Sequence, residues 1–269
     1  MTDSHIQNQK YIDEARLCAE AVARNEKEAR FCVFPGDFVD TGTENNSEWE
    51  WERWFEEAMK PVLMQMPLVP TDGNHDESPL LNYNYHFNAG INYSFVYGEM
   101  QMIVFSMQDL DYLQSDLGGW FKQQVQKAPD ARWRVGLVHK NLFSGSDHQR
   151  DKETPLLRAT MLPVMKECHV NLVLQGHDHC YEVIGPVDST LYFIGATCGA
   201  KRYTPLTREE MEATKHIHKV ENYYDLFRRL EQPGAPSYTR VTVNKEHILL
   251  ETFKVLSDGH TELFNTIIL

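Results

Sequence analysis

The stretch VLQGHDHCYE, from Val173 to Glu182, ends an apolar run in a glycine and then sets His177 and His179 two positions apart. A buried strand that stops at Gly-His-Asp-His holds imidazoles just past the edge of a sheet. One His-x-His pair is weak evidence, because such pairs arise by chance and suit solvated turns. Its meaning depends on what the other strand ends carry.

They carry the same kind of side chain. FCVFPGDFVD, beginning at Phe31, passes through Gly36-Asp37 to Asp40. LVPTDGNHD ends in Gly73-Asn74-His75-Asp76, and VGLVH ends at His139. Asp3 and His5 stand just before the first helical segment. In open α/β sheets ligands gather outside the carboxyl ends of strands, so these junctions can converge on one site. Imidazole, carboxylate and amide oxygen suit divalent iron, manganese or zinc. Seven such groups are too many for one four-coordinate ion and about right for two that share a bridging carboxylate. Glycines precede Asp37, Asn74 and His177, where sharp strand-to-loop turns need backbone freedom.

Bulk properties bound the rest. The chain has 269 residues, 42% of them apolar and 24% charged, which suits a globular protein with a sizeable core. No apolar run reaches the roughly 18 to 20 residues that span a bilayer, so no membrane partner is expected. A formal net charge of −13 argues against a nucleic-acid polymer as ligand. Five scattered cysteines fit buried thiols better than a disulfide framework. The opening Met-Thr-Asp-Ser-His lacks the basic flank and apolar core of a signal peptide, so the chain as it stands reads as cytoplasmic, or as exported if its N-terminus was trimmed. Nothing in the sequence speaks to oligomeric state.

Periodicity gives an alternation of elements. Ile12, Ala15, Ala19 and Val22 predict a helix within Asn8 to Ala29. Phe31 to Phe34 predicts a strand, and Glu48 to Lys60 a helix stopped by Pro61. Tyr93 to Tyr97 and Met100 to Ser106 read as a hairpin around Gly98-Glu99. Helices are expected at Trp120 to Ala128 and Pro155 to Cys168. Strands are expected at WRVGLVH, VNLVLQ and LYFIGA, and the tail from Tyr238 to Leu269 reads as antiparallel strands. With no repeat and no long linker, residues 1–269 read as a single α/β domain. The polar stretch from Gly199 to Gln232 interrupts this rhythm as a lid, a substrate-facing loop or a plain surface excursion. His216 and His218 within it would diverge on a helix. Asp147, His148 and His169 lack matching partners and read as structural or peripheral, and Trp49, Trp51 and Trp54 read as packing.

Asp3-x-His5, Gly36-Asp37-x-x-Asp40, Gly73-Asn74-His75-Asp76, His139 and Gly176-His177-x-His179 resemble, in order, the motif series of the calcineurin-like metallophosphoesterases. GHDHCYE and the strand-rich tail look like the purple acid phosphatase-like branch. The resemblance implies a sandwich of two mixed β-sheets flanked by helices. It implies hydrolysis of phosphate mono- or diesters by a metal-bridging hydroxide at a dinuclear site of two divalent or mixed-valence iron, manganese or zinc ions, with a small phosphate ester as substrate. Asp3, His5 and His179 would hold the first metal, Asp37 would bridge, and Asn74, His139 and His177 would hold the second. His75 would face the phosphate as a catalytic group, oriented by Asp76. Asp40 stands where the purple enzymes carry a tyrosinate ligand. The family also places an apolar strand directly before Asp-x-His, whereas only Met1 and Thr2 precede Asp3, so either the N-terminus was trimmed or that strand is missing and the first metal site is loosened. The rival expectation is a binding or scaffolding module on the same fold, with one metal or none.

Overall fold

In a computed structural model, residues 1–41, 48–76, 81–88, 90–214, 216, 220 and 222–269 are described, without the side chains of 81 and 82. The centre is a seven-stranded mixed sheet. Its strands are β3 (Tyr93–Tyr97), β4 (Met100–Val104), β5 (Trp133–Leu137), β6 (Leu172–Gln175), β7 (Tyr181–Val187), β8 (Thr190–Gly195) and β9 (Phe227–Glu231), in the order β3-β4-β5-β6-β8-β7-β9. The runs β4-β5, β5-β6 and β6-β8 are parallel, and the outer pairings are antiparallel.

Strand alternation divides this sheet between two cores. Ile103, Val173 and Tyr192 face the helices Gly118–Gln126 and Thr154–Glu167, packing with Phe121, Leu157 and Met161. Met102, Val104, Leu172, Leu174 and Phe193 face the opposite way. There they meet β1 (Cys32–Pro35) and β2 (Leu68–Thr71), which are parallel, and the antiparallel sheet of β10 (Ser237–Val243), β11 (Ile248–Val255) and β12 (Thr261–Ile268). Val69, Ile248 and Leu250 contribute to this second core. The expected sandwich is therefore present.

A third core lies under the helix Gln9–Asn25, where Phe34, Phe38, Trp51 and Trp54 are fully buried. Asn8 caps that helix by accepting from the Lys10 amide, so it starts one residue later than periodicity suggests. Trp49 stays largely exposed while its two neighbours pack. The helix at Glu48 does not stop at Pro61. It passes through a π-helical turn, Trp54–Ala58, into the short helix Lys60–Leu63. Pro61 sits in the first turn of that last piece, where a missing N–H costs nothing.

The chain start is built in, not loose. The Met1 amino group donates to Val33 O, Asp3 N to Gly36 O, and His5 N to Asp37 O. On the other side Cys198 N donates to Thr2 O, and Ser237 N to Thr197 O. The residues before the first helix thus lie in extended contact between the β1 loop and the segment leading to β10. Asp3 and His5 are fully buried there, which goes against the loosened alternative.

Candidate metal centre

The expected junctions meet at one end of the sandwich. β1 delivers Asp37, β2 delivers Asn74, β5 delivers His139, β6 delivers His177 and His179, and the N-terminal segment delivers Asp3 and His5. Five of these seven residues, Asp3, His5, Asp37, His177 and His179, hold a left-handed backbone conformation with φ between 46° and 74°. Non-glycine residues rarely do so, and such strain concentrates at functional sites. The glycines help in two ways. Gly36 has φ +78°, whereas Gly73 matters for proximity, since a Cβ there would lie 2.1 Å from Asp37 Oδ1.

One carboxylate oxygen organises the cluster. Asp37 Oδ2 lies 3.1 Å from His5 Nε2 and 3.2 Å from His139 Nε2. His5 Nε2 is 3.1 Å from His179 Nε2, which is 3.4 Å from Asp3 Oδ1. On the other side, His139 Nε2 is 3.1 Å from Asn74 Oδ1 and 3.2 Å from His177 Nδ1. Asp37 is common to two groups, Asp3-His5-Asp37-His179 and Asp37-His139-His177, while His5-Asp40-His75 and His148-Asp151-His177 come similarly close together.

The second ring nitrogens decide what these contacts are. His139 Nδ1 faces Pro35 O at 2.7 Å, His179 Nδ1 faces Lys201 O at 3.0 Å, and His5 Nδ1 faces Asp40 Oδ1 at 3.0 Å. Each must donate there, so in the neutral ring each Nε2 carries a lone pair. Lone pairs of three imidazoles then converge on carboxylate and amide oxygens. Acceptors facing acceptors in a buried site call for a cation, and the outer hydrogen bonds are those that orient metal-bound histidines. The donor set fits divalent iron, manganese or zinc.

The electrostatics agree. Burial opposes charge on His5 and His139, but the Asp37 carboxylate overcomes it and pushes each pKa up to about 9. Burial would raise the Asp37 pKa, yet His139 and His5 hold it well below the usual range. Burial raises Asp3 to about 6, with His139 opposing and Asp37 adding to the rise. Burial depresses His177 and His179 far below the ordinary imidazole value, helped by His148 and His139 for the first and by His5 for the second. A site that draws protons onto two histidines to balance one carboxylate has a strong appetite for positive charge.

Around the centre, two expectations change and one open reading narrows. The His75 ring is not held by Asp76. Its Nδ1 lies 2.6 Å from the Asp40 carbonyl oxygen, with the Asp40 carboxylate at 3.8 Å. Asp76 instead accepts from the backbone N–H of Asp37, Phe38 and Gly73 at 2.8, 3.1 and 2.9 Å, so it shapes the loop that carries Asp37. His148 is not peripheral: its ring stacks on His177 with centroids 3.8 Å apart, and Asp151 holds its Nδ1 at 3.0 Å. No partner motif marks it in the sequence, and only the loop after β5 brings it in. The segment from Gly199 is no detached excursion. Besides the Lys201 carbonyl on His179, Tyr203 stacks on His179 at 4.6 Å, and Tyr223 OH accepts from Ser144 N in the loop leading to His148. His216 is exposed, and His218 lies outside the described residues.

The reading of the cysteines stands as structure. All five cysteines are free and buried. Among the described residues, no helix is long and apolar enough to cross a membrane.

Comparison with known proteins defines the class. The family model of calcineurin-like phosphoesterases matches residues 1–181, and the chain belongs to that family. Within it, the similar curated proteins are largely purple acid phosphatases. Purple acid phosphatase 17 of Arabidopsis thaliana is 34% identical over 77 residues, covering 29% of this chain and 22% of that protein. Purple acid phosphatase 23 of the same plant is 24% identical over 168 residues, covering 55% and 36%. The match thus spans between about a fifth and two fifths of these relatives' length. Among solved structures, the purple acid phosphatase PPD1 from yellow lupin seeds superposes with a TM-score of 0.77 at 13% identity, over 99% of this chain and 52% of that one. GAP50, described as the anchor in the inner membrane complex of Plasmodium, gives 0.69 at 14% identity, over 99% and 87%. A dimetal phosphatase from Danio rerio gives 0.61 at 9% identity, over 100% and 96%. At these identities the likeness is one of fold.

Proposed function

We propose that this protein hydrolyses small phosphate esters at a dinuclear metal centre. The observation that carries the reading is Asp37 Oδ2, set within about a bond's reach of two separate histidine groups. Asp3, His5 and His179 would hold one ion, and Asn74, His139 and His177 the other, with Asp37 between them. The ions, iron, manganese or zinc, would supply an activated water and neutralise phosphoryl oxygens.

The chain's own residues do the rest. The Pro35, Lys201 and Asp40 oxygens fix the tautomers of the three inner histidines. Asp76 fixes the Asp37 loop. His75 is 28% exposed, and with Nδ1 engaged by Asp40 it keeps Nε2 for the phosphoryl group or the leaving oxygen. Burial lowers the His75 pKa, with Asp37 opposing, so protonation of this ring would depend on the charge of the bound substrate.

The decisive experiment pairs metal analysis with turnover of aryl phosphate mono- and diesters. Two equivalents of metal with hydrolysis supports the reading. The fold likeness to GAP50, an anchor protein by its description, favours a second reading as a binding module. A folded, metal-loaded protein inactive on a broad ester panel would favour that second reading instead.

A further inference from the structure

Lys201 stands beside the candidate centre, next to His5 and Asp40. Its Nζ lies 3.5 Å from His5 Nδ1 and 3.9 Å from Asp40 Oδ1, and its side chain is 23% exposed. His5 Nδ1 already donates to Asp40, so it offers the ammonium no lone pair. The carboxylate at 3.9 Å is beyond hydrogen-bond length. A lysine ammonium has three donors and no acceptor. Its near partners are thus His5 Nδ1 at 3.5 Å and the Asp40 carboxylate at 3.9 Å, so this ammonium is only loosely paired although it is mostly buried.

The residue is held there by the candidate centre itself. Its carbonyl oxygen takes the His179 Nδ1 proton, and Thr197, four residues earlier, donates its hydroxyl to Asp3 O at 2.6 Å. Arg202 is paired with Glu14 on the first helix, and the Tyr203 carbonyl accepts from Gln232 Nε2 at 2.8 Å. The Nζ also stands 6.0 Å from the centre of the Tyr203 ring. Lys201 and His75 both border Asp40, so the two face the same side of the centre.

Resting on the phosphoesterase reading above, we infer that Lys201 is a specificity-determining residue that binds a non-bridging phosphoryl oxygen of the substrate. A loosely paired ammonium beside a cationic centre gains an acceptor only when an anion arrives. It gains most from an oxygen bearing full negative charge. Lys201 therefore favours a doubly charged phosphoryl group over a singly charged one, and acts on binding.

The test uses the metal-loaded full chain, with inorganic phosphate as probe by calorimetry and metal content measured alongside. Lys201→Met should keep its metal and bind phosphate about ten- to a hundredfold more weakly, the size expected for a lost hydrogen bond between charged groups. Lys201→Arg, which keeps the charge, should recover most of the affinity. In turnover, Lys201→Met should raise KM for 4-nitrophenyl phosphate much more than for its methyl diester, with kcat less affected. Unchanged phosphate affinity in Lys201→Met, an arginine variant no better than the methionine one, or loss of metal from Lys201→Met would each overturn the assignment. Phosphate binding that depends on Lys201 in a protein that turns over no ester would sink the hydrolase reading and leave this one standing.

Discussion

The two halves of the centre share Asp37 but are built on different principles. The half made by Asp3, His5 and His179 is sealed, its side chains at most 1% exposed, and all three residues hold left-handed backbone. It is assembled from the chain's first residues and the turn after β6, and it is braced by Thr197 and Lys201. The half made by Asn74, His139 and His177 takes one residue from each of three strand ends, and of these only His177 is in the left-handed region. It borders a polar hollow that His148, Asp151, Lys140 and Asn141 help to line. The first half is sealed, while the second is nearly so, with His139 1% and His177 8% exposed and Asn74 half-buried. On the dinuclear reading proposed above, the ion held by the sealed half would be the harder to remove.

The strongest way to break that contrast is to remove what the halves share. Asp37→Ala should lose both metal equivalents and bring ester hydrolysis to background, read by elemental analysis and turnover on the same sample. Retention of both ions would dissolve the dinuclear assignment. Next come the halves separately. His139→Ala and His177→Ala should each release one equivalent readily, while His5→Ala and His179→Ala should release the other and lower thermal stability as well. The added loss follows because the sealed half leaves buried carboxylates without a counter-charge. Equal stability across the four variants would erase the distinction between the two halves.

A smaller effect is expected at His75, which touches neither half as a ligand in this reading. His75→Ala should keep both ions and slow hydrolysis by about 100- to 10,000-fold, the usual contribution of a positioned acid or base. The slowing should be greater for alkyl than for nitrophenyl esters, whose leaving oxygen needs no proton. The smallest effect on rate belongs to Asp76. Asp76→Ala strips the acceptor from three buried N–H groups, so stability should fall by about 1 to 3 kcal/mol or more in denaturant melts. Activity should drop only as far as the Asp37 loop loosens. A rate loss at Asp76 matching that at His75, with stability intact, would restore the direct pairing of those two residues.

Much of this was legible in the chain itself. Apolar runs ending in Asp, Asn or His marked β1, β2, β5 and β6, because a buried parallel strand needs a continuous apolar stretch and must stop where it leaves the core. The tail from Tyr238 to Leu269 was legible as antiparallel strands from its alternation. Two strands were not. β7 carries Gly185-Pro186 in its run, which reads as a break. β9, Phe-Arg-Arg-Leu-Glu, is an edge strand too polar to show a buried face.

For the site, residue type and order in the sequence determined the candidate ligands, since few side chains combine lone pairs with the geometry a divalent ion accepts. What holds them is a different matter. That His75 rests on Asp40 and not on Asp76, that His148 stacks on His177, and that Lys201 stands beside His5 are facts about backbone paths. They depend on where a carbonyl points and on which loop crosses which strand end. Ligand identity is local chemistry, written in one residue at a time. The outer contacts arise from packing between segments up to some two hundred positions apart, and only the folded chain fixes those distances.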